Sequence, residues 1–194
     1  MRRLILASTS PRRAELLRQI GVAFELRAVE VDESPRPGEA AAETALRLAV
    51  AKAEAGRSQA APGQAVLAAD TLVSLDGEPL GKPRDREDFF VMLRRLSGRR
   101  HEVCTAVALA WDDSIRSFLS VSHVDFRPLL DAELAAYWAT GEPKDKAGGY
   151  AIQGRAAVFI TRLEGSFSGV MGLPLFETAE LLQQAGFRLW STAG

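Results

Sequence analysis

Apolar residues come first in short unbroken runs and then at helical spacing, and the two patterns alternate through the first half of the chain. Leu4-Ile5-Leu6-Ala7 is an apolar run that gives way to Ser8-Thr9-Ser10, as a buried strand does at its end. Ser10-Pro11 then opens a helix, with Ser as N-cap, Pro at the first helical position and Leu16, Leu17 and Ile20 on one face; Gly21 stops it. Residues 24–31 read as a second strand of mixed polarity. Residues 39–59 read as an Ala-rich helix with Ala42, Ala45, Leu46, Ala49, Val50 and Ala53 at helical spacing. Residues 65–69 are wholly apolar and predict a buried strand ending at Asp70; 71–75 is extended, and Asp76-Gly77 signals a hairpin turn. A helix over 85–96 follows, stopped by Ser97-Gly98. Two long strands, 101–111 and 115–126, form a hairpin that extends as a lobe around 100–127. A short helix over 131–139, a Gly-rich loop over 144–154, a strand over 157–163 and a last helix over 174–185 complete the chain. Strand–helix alternation followed by a hairpin predicts an α/β fold with a mixed sheet.

Composition narrows the class of function. The chain has 194 residues, 47% hydrophobic and 25% charged, which suits one globular domain over 1–194. Its formal net charge of −1 gives no overall pull toward nucleic acid or an anionic membrane, so neither is expected as a partner, and phosphate binding must come from a local cluster. One cysteine, Cys104, excludes an intrachain disulfide, and two histidines, His101 and His123, make a soft-ligand metal cage a poor fit. A metal here would be a hard divalent cation on oxygen ligands. The apolar run after Met1-Arg2-Arg3 is too short for a signal peptide, and no run approaches the roughly 20 residues of a membrane span. These features predict a soluble, cytoplasmic protein.

The first candidate for chemistry is the helix start. Arg12 and Arg13 fall in the first turn, where free N–H groups and the helix dipole already present positive charge. That placement fits a site for a phosphate, or two side chains that turn to solvent. The loop lacks the GxxxxGK[ST] of a P-loop. Asp70, closing an apolar strand, is placed as catalytic or metal-binding carboxylates often are in α/β proteins, and equally as a cap. Lys82 in Gly81-Lys82-Pro83 returns toward Asp70 through the Asp76-Gly77 hairpin, or is a solvated surface lysine. Lys52 borders the apolar face of the Ala-rich helix, which suits a lysine snorkelling past the core edge. Glu33 is a loop carboxylate that either ligates a cation or is solvated. Gln153 sits among glycines, and its amide offers both donor and acceptor to a base edge. His101, His123 and Cys104 read as structural.

In order along the chain, Leu6-Ala7-Ser8-Thr9-Ser10-Pro11-Arg12-Arg13, Ala68-Ala69-Asp70-Thr71, Gly81-Lys82-Pro83-Arg84-Asp85, Asp145-Lys146-Ala147-Gly148-Gly149-Tyr150-Ala151-Ile152-Gln153-Gly154 and Val170-Met171-Gly172-Leu173-Pro174-Leu175 resemble the Maf family of nucleoside triphosphate pyrophosphatases. The resemblance implies an elongated, inosine-triphosphatase-like α/β fold, a homodimer, and cleavage between the α- and β-phosphates of a nucleoside triphosphate with a divalent cation, Mg²⁺ or Mn²⁺. It implies Asp70 as general base, Ser8, Arg12, Arg13, Lys52 and Lys82 around the phosphates, and Glu33 as an acidic residue of the site; the mechanism expected from these residues places the cation on one or both of Glu33 and Asp70. It also implies Arg12, Thr71 and Gln153 as the residues of the branch that acts on dTTP and UTP. The branch that acts on 7-methyl-GTP carries a different segment at Tyr150-Ala151-Ile152-Gln153-Gly154. Gly169 departs from the pattern, standing where a larger polar residue, often Asn, is expected. Modified pyrimidine nucleotides fit the same site, and a nucleotide-binding regulator of cell division with little turnover is the alternative from another class.

Overall fold

The computed structural model describes residues 3–190, so Met1 and Arg2 of the N-terminal run lie outside it. Seven strands form one mixed sheet in the order β2-β1-β3-β5-β6-β7, with β4 paired to β3 off that path. They are β1 (Arg3–Ala7), β2 (Phe24–Arg27), β3 (Gln64–Leu75), β4 (Glu78–Leu80), β5 (Arg100–Trp111), β6 (Ser114–Phe126) and β7 (Ile160–Glu164). β1 runs parallel to β2 and β3, and every other pairing is antiparallel. Helices α1 (Pro11–Gln19), α2 (Ala41–Ser58), α3 (Arg86–Leu96), α4 (Asp131–Ala139), α5 (Phe167–Met171) and α6 (Leu175–Gln184) flank it. This is the expected α/β architecture with a mixed sheet.

Side-chain alternation along the sheet sorts the core into faces. Ile5, Val66, Ala68, Ala106 and Ala108 pack against Ala41, Ala45, Ala49 and Ala53 of α2, all buried. Small residues on both sides bring helix and sheet close together; a Cβ on Gly56 would lie 2.6 Å from Val66 Cγ1. Leu4, Leu6, Leu67, Val107 and Leu109 take the opposite face with Leu16 and Leu17 of α1 and Leu181 and Leu182 of α6. A third cluster gathers Phe89, Leu93, Phe126, Tyr137, Tyr150 and Phe159 around α3 and α4.

Several boundaries differ from the sequence pattern, each for a tertiary reason. Asp70 does not end a strand. β3 passes through it to Leu75, because β5 pairs with β3 from Val66↔Ala110 to Ser74↔Glu102. β2 stops at Arg27, where its partner β1 ends at Ala7. Residues 155–159 are a 3₁₀ turn rather than strand, with Ala156 and Phe159 buried three residues apart. The Gly-rich segment holds two further 3₁₀ turns, Glu142–Asp145 and Ala147–Gly149. α5 is too short to leave a periodic signal; Ser166 caps it by accepting from Gly169 N at 2.9 Å. The Asp76-Gly77 turn forms as expected, both residues with positive φ, and pairs Val73 with Leu80. The 101–126 hairpin runs through the sheet, with β5 between β3 and β6. No helix among the described residues is long and apolar enough to cross a membrane.

Candidate active site

One strand delivers two site residues to opposite sides. Along β3, Asp70 shares the parity of Val66 and Ala68 and points toward α2, whereas Thr71 shares the parity of Leu67 and Ala69. Lys52, on α2, meets Asp70 there: its Nζ lies 2.6 Å from Asp70 Oδ1 and 2.6 Å from Glu33 Oε1. The ammonium and the Asp70 carboxylate are largely shielded, with 12% and 13% of their side chains exposed, while Glu33 is 60% exposed on the loop after β2. The hydrogen bond from Lys52 holds the Glu33 carboxyl below its ordinary value. Lys52 therefore does more than border the core: it joins two carboxylates.

Arg12 and Arg13 do not simply turn to solvent. Ser10 occupies the N-cap position of α1, but its side chain makes no cap bond; Ser8 Oγ instead accepts from Ser10 N at 3.1 Å. The first-turn N–H groups thus keep no side-chain partner. The arginine side chains reach across to the end of α5. Arg13 Nε donates to Gly172 O at 2.8 Å and Arg12 Nε to Met171 O at 3.4 Å. Terminal carbonyls of a helix carry partial negative charge, which offsets the unfavourable position of two cations at the start of α1. Arg13 Nη2 also donates to Thr71 Oγ1 at 3.3 Å. Thr105 Oγ1 lies 3.0 Å from Thr71 Oγ1 and donates to Gly169 O at 2.7 Å. Burial pulls the Arg13 pKa down while the Asp70 charge pushes it back up; the guanidinium stays charged. Arg12 keeps 28% of its side chain exposed and approaches Asp145 Oδ2 at 3.9 Å.

The cleft between these groups has a volume of about 870 Å³ and is lined by Ser8, Arg12, Arg13, Glu33, Lys52, Asp70, Thr71, Lys82 and Gln153, all the site candidates. Lys82 is exposed, makes no ion pair with the described residues, and its charge helps lower Glu33. Gln153 is exposed at the cleft wall. His101, His123 and Cys104 stay out of it. His101 is buried, with Nε2 2.8 Å from Tyr150 Oη, and His123 faces Glu102 at 3.4 Å.

Sequence reasoning missed several residues of the cleft. Glu39 and Thr44 line it, and Arg47 braces Glu39: Arg47 Nε donates to Glu39 Oε1 at 2.7 Å and Nη2 to Glu39 Oε2 at 2.6 Å. Thr44 and Arg47 lie three apart on α2, a spacing that marks one helix edge. Asp145 and Lys146, ion-paired to each other, line the opposite wall.

The donor set fits a hard cation only in part. Asp70 and Glu33 reach one point from two elements, but among the described residues no group of three His, Cys, Asp or Glu side chains converges to hold a metal. Two carboxylates suit a Mg²⁺-like ion completed by phosphate oxygens and water.

A family model described as Maf-like protein matches residues 3–185. The dTTP/UTP pyrophosphatase of Aromatoleum aromaticum is 54% identical over 96% of this chain and 97% of its own length. That of Methylococcus capsulatus is 58% identical over 95% of this chain and 91% of its own. A solved structure of a HAM1 protein from Coxiella burnetii, 17% identical, superposes on 95% of this chain and all of that one with a TM-score of 0.51, a likeness of fold.

Proposed function

The chain belongs to the Maf-like protein family, and from that premise we propose that it is a nucleoside triphosphate pyrophosphatase acting on dTTP and UTP. It cleaves between the α- and β-phosphates to give the monophosphate and diphosphate. The observation that carries the reading is the Lys52 ammonium shared by Asp70 and Glu33 in a cleft whose other wall presents Arg12 and Arg13. A site for binding alone has no use for two carboxylates facing a polyanion.

Asp70 is the general base. Lys52 engages Oδ1, which leaves the other oxygen to take a proton from the water that attacks the α-phosphorus as the bond to the bridging oxygen breaks. Lys52, Lys82 and Arg13 offset the charge that develops on the departing diphosphate. Ser8 and the uncapped N–H groups of α1 orient phosphate oxygens. Glu33, joined by Asp70 where its free oxygen is not taking the proton, would hold a divalent cation, Mg²⁺ or Mn²⁺, which when bound neutralises phosphate charge. Gln153 reads the base edge, since uracil and thymine place an N–H beside carbonyl oxygens and a glutamine amide matches that pair; Arg12 and Thr71 complete the selection. The same reading includes a homodimer and a cytoplasmic setting.

A panel of nucleoside triphosphates with Mg²⁺, scored by diphosphate release, tests it. UTP and dTTP are expected to dominate. A panel led by purines overturns the substrate assignment, and release from no triphosphate overturns the enzyme.

A further inference from the structure

Gln153 sits in a tight turn closed by a hydrogen bond from Gly154 N to Ala151 O at 3.0 Å. Both sides of that turn are tied to one pair of side chains from elsewhere. Tyr137, on α4, accepts from Ala151 N at 3.3 Å and donates its hydroxyl proton to Glu142 Oε1 at 2.8 Å. Glu142, in the 3₁₀ turn that follows α4, accepts from Arg155 N at 3.0 Å on Oε1 and 3.1 Å on Oε2. A continuous chain of hydrogen bonds thus runs from the backbone before Gln153, through Tyr137 and Glu142, to the backbone after it.

We propose that Tyr137 and Glu142 are positioning residues for base selection: they fix the turn 151–155, and through it the direction in which Gln153 presents its amide to the cleft. This rests on Gln153 being the base reader. Neither residue lines the cleft, so neither touches the nucleotide.

Two further observations support the assignment. Glycine at residue 154 lets the carboxylate of Glu142 sit directly against the backbone. A Cβ there would lie 2.5 Å from Glu142 Cδ and 2.6 Å from Oε2, inside the space of the carboxylate. Tyr137 is also fitted to donate. Burial, with the Glu142 carboxylate beside it, pushes its hydroxyl well above the ordinary tyrosine value, and the ring is 4% exposed among Phe89 and Phe159. The amide of a reader has two faces of opposite polarity, so a rotated turn presents the wrong one. Orientation matters more here than at a charged group, which attracts phosphate from many angles.

The test compares kcat/KM for UTP with kcat/KM for CTP, whose ring nitrogen and exocyclic amine reverse the donor–acceptor order. Tyr137→Phe and Glu142→Ala are each expected to lower that ratio about tenfold, chiefly through KM for UTP, as the loss of one or two hydrogen bonds does. Glu142→Gln, whose carbonyl oxygen still accepts from both Tyr137 and Arg155, is expected to restore most of the ratio. A merely structural role would lower activity on both nucleotides together and leave the ratio alone. Gln153→Ala is the control for the underlying reading: an unchanged ratio there overturns Gln153 as reader. A collapsed ratio in Gln153→Ala with a wild-type ratio in folded Tyr137→Phe overturns the positioning role. Tyr137→Phe keeps the buried ring, so it decides the matter even if Glu142→Ala fails to fold.

Discussion

The two ends of the cleft are built on different principles. At one end Lys52, Asp70, Glu33 and Arg13 are charged: Lys52 pairs with both carboxylates, and Arg13 feels the Asp70 charge from a distance. At the other end the candidate reader, Gln153, is neutral, and what holds it is a backbone turn clamped by Tyr137 and Glu142 behind the cleft. A charged end works by potential, which falls off gradually with distance, so small displacements cost little binding. A hydrogen-bonding end works by direction, which fails within a few tens of degrees. Turnover should therefore be lost by removing charges, and selectivity by loosening supports that never meet the ligand.

The largest expected effect sharpens that division. Asp70→Asn removes the base but keeps an oxygen that accepts from Lys52, so β3 and the core around it stay intact. We expect kcat for UTP to fall about 10³-fold, within the range for a positioned general base, with the UTP-to-CTP ratio of the residual activity unchanged. Single-turnover hydrolysis and a thermal melt on the same sample check it. Near-normal turnover would remove Asp70 as base, and a collapsed ratio would show that the two ends are not separable.

How much of this was legible in the chain depends on whether the cause is local. The Asp76-Gly77 turn, the N-terminal boundary at Ser10-Pro11 and the Ala-rich face of α2 are written in neighbouring residues, and each formed where the pattern put it. The continuation of β3 through Asp70 was not, because it depends on β5, more than thirty residues away. Lys52 looked like a core-edge lysine since nothing within α2 reveals that the sheet parity of Asp70 delivers a carboxylate to it. The arginines of α1 signalled an electrostatic misfit. Their partners are carbonyls at the end and C-cap of a five-residue helix that contains Gly169 and leaves no periodicity. The roles of the site residues came from the ordered resemblance. The glycine at 154 carried a further signal, a position without room for a Cβ, that only Glu142 in space explains.

Acid should act on the reading end. His101 is buried edge-on against Tyr150 and Phe126, and burial brings its pKa down to about 4. Its folded value lies below the unfolded one of about 6.5, so between these values the unfolded chain binds more protons. Stability is therefore lost as pH falls through that window and levels off below about 4. From pH 7 to 4.5 this one group accounts for ~2.5 kcal/mol, at 1.36 kcal/mol per pKa unit. Urea unfolding at the two pH values is expected to show wild type losing that much more stability than His101→Gln. Equal losses would mean that His101 is not held neutral. Glu33 differs in cause: the hydrogen bond from Lys52, rather than burial, sets the direction of its shift, and that direction is downward from the ordinary carboxylate value.

The smallest expected effect concerns the loop that carries Glu33. Arg47 grips Glu39 with two nitrogens and also donates to Ser34 O at 3.4 Å, one residue from Glu33; Thr44 Oγ1 adds a bond to Glu39 Oε2 at 2.9 Å. A planar guanidinium meets both oxygens of a carboxylate from separate nitrogens and still reaches the carbonyl, a fork that a single ammonium nitrogen does not offer. Arg47→Lys should keep the charge and lose the span, letting Glu33 drift. We expect the Mg²⁺ concentration for half-maximal turnover and KM for UTP to rise about threefold, as the loss of about one hydrogen bond would give. The UTP-to-CTP ratio should hold. The Arg47 hydrogen bonds bring the Glu39 carboxyl down to about 2, so the brace is present above the usual carboxylate range and is lost only as pH falls toward 2. The Arg47→Lys effect should then be the same at every pH from 5 to 8. A pH-dependent effect would show that another group braces the loop, and a falling ratio would show that the charged end and the reading turn share one support.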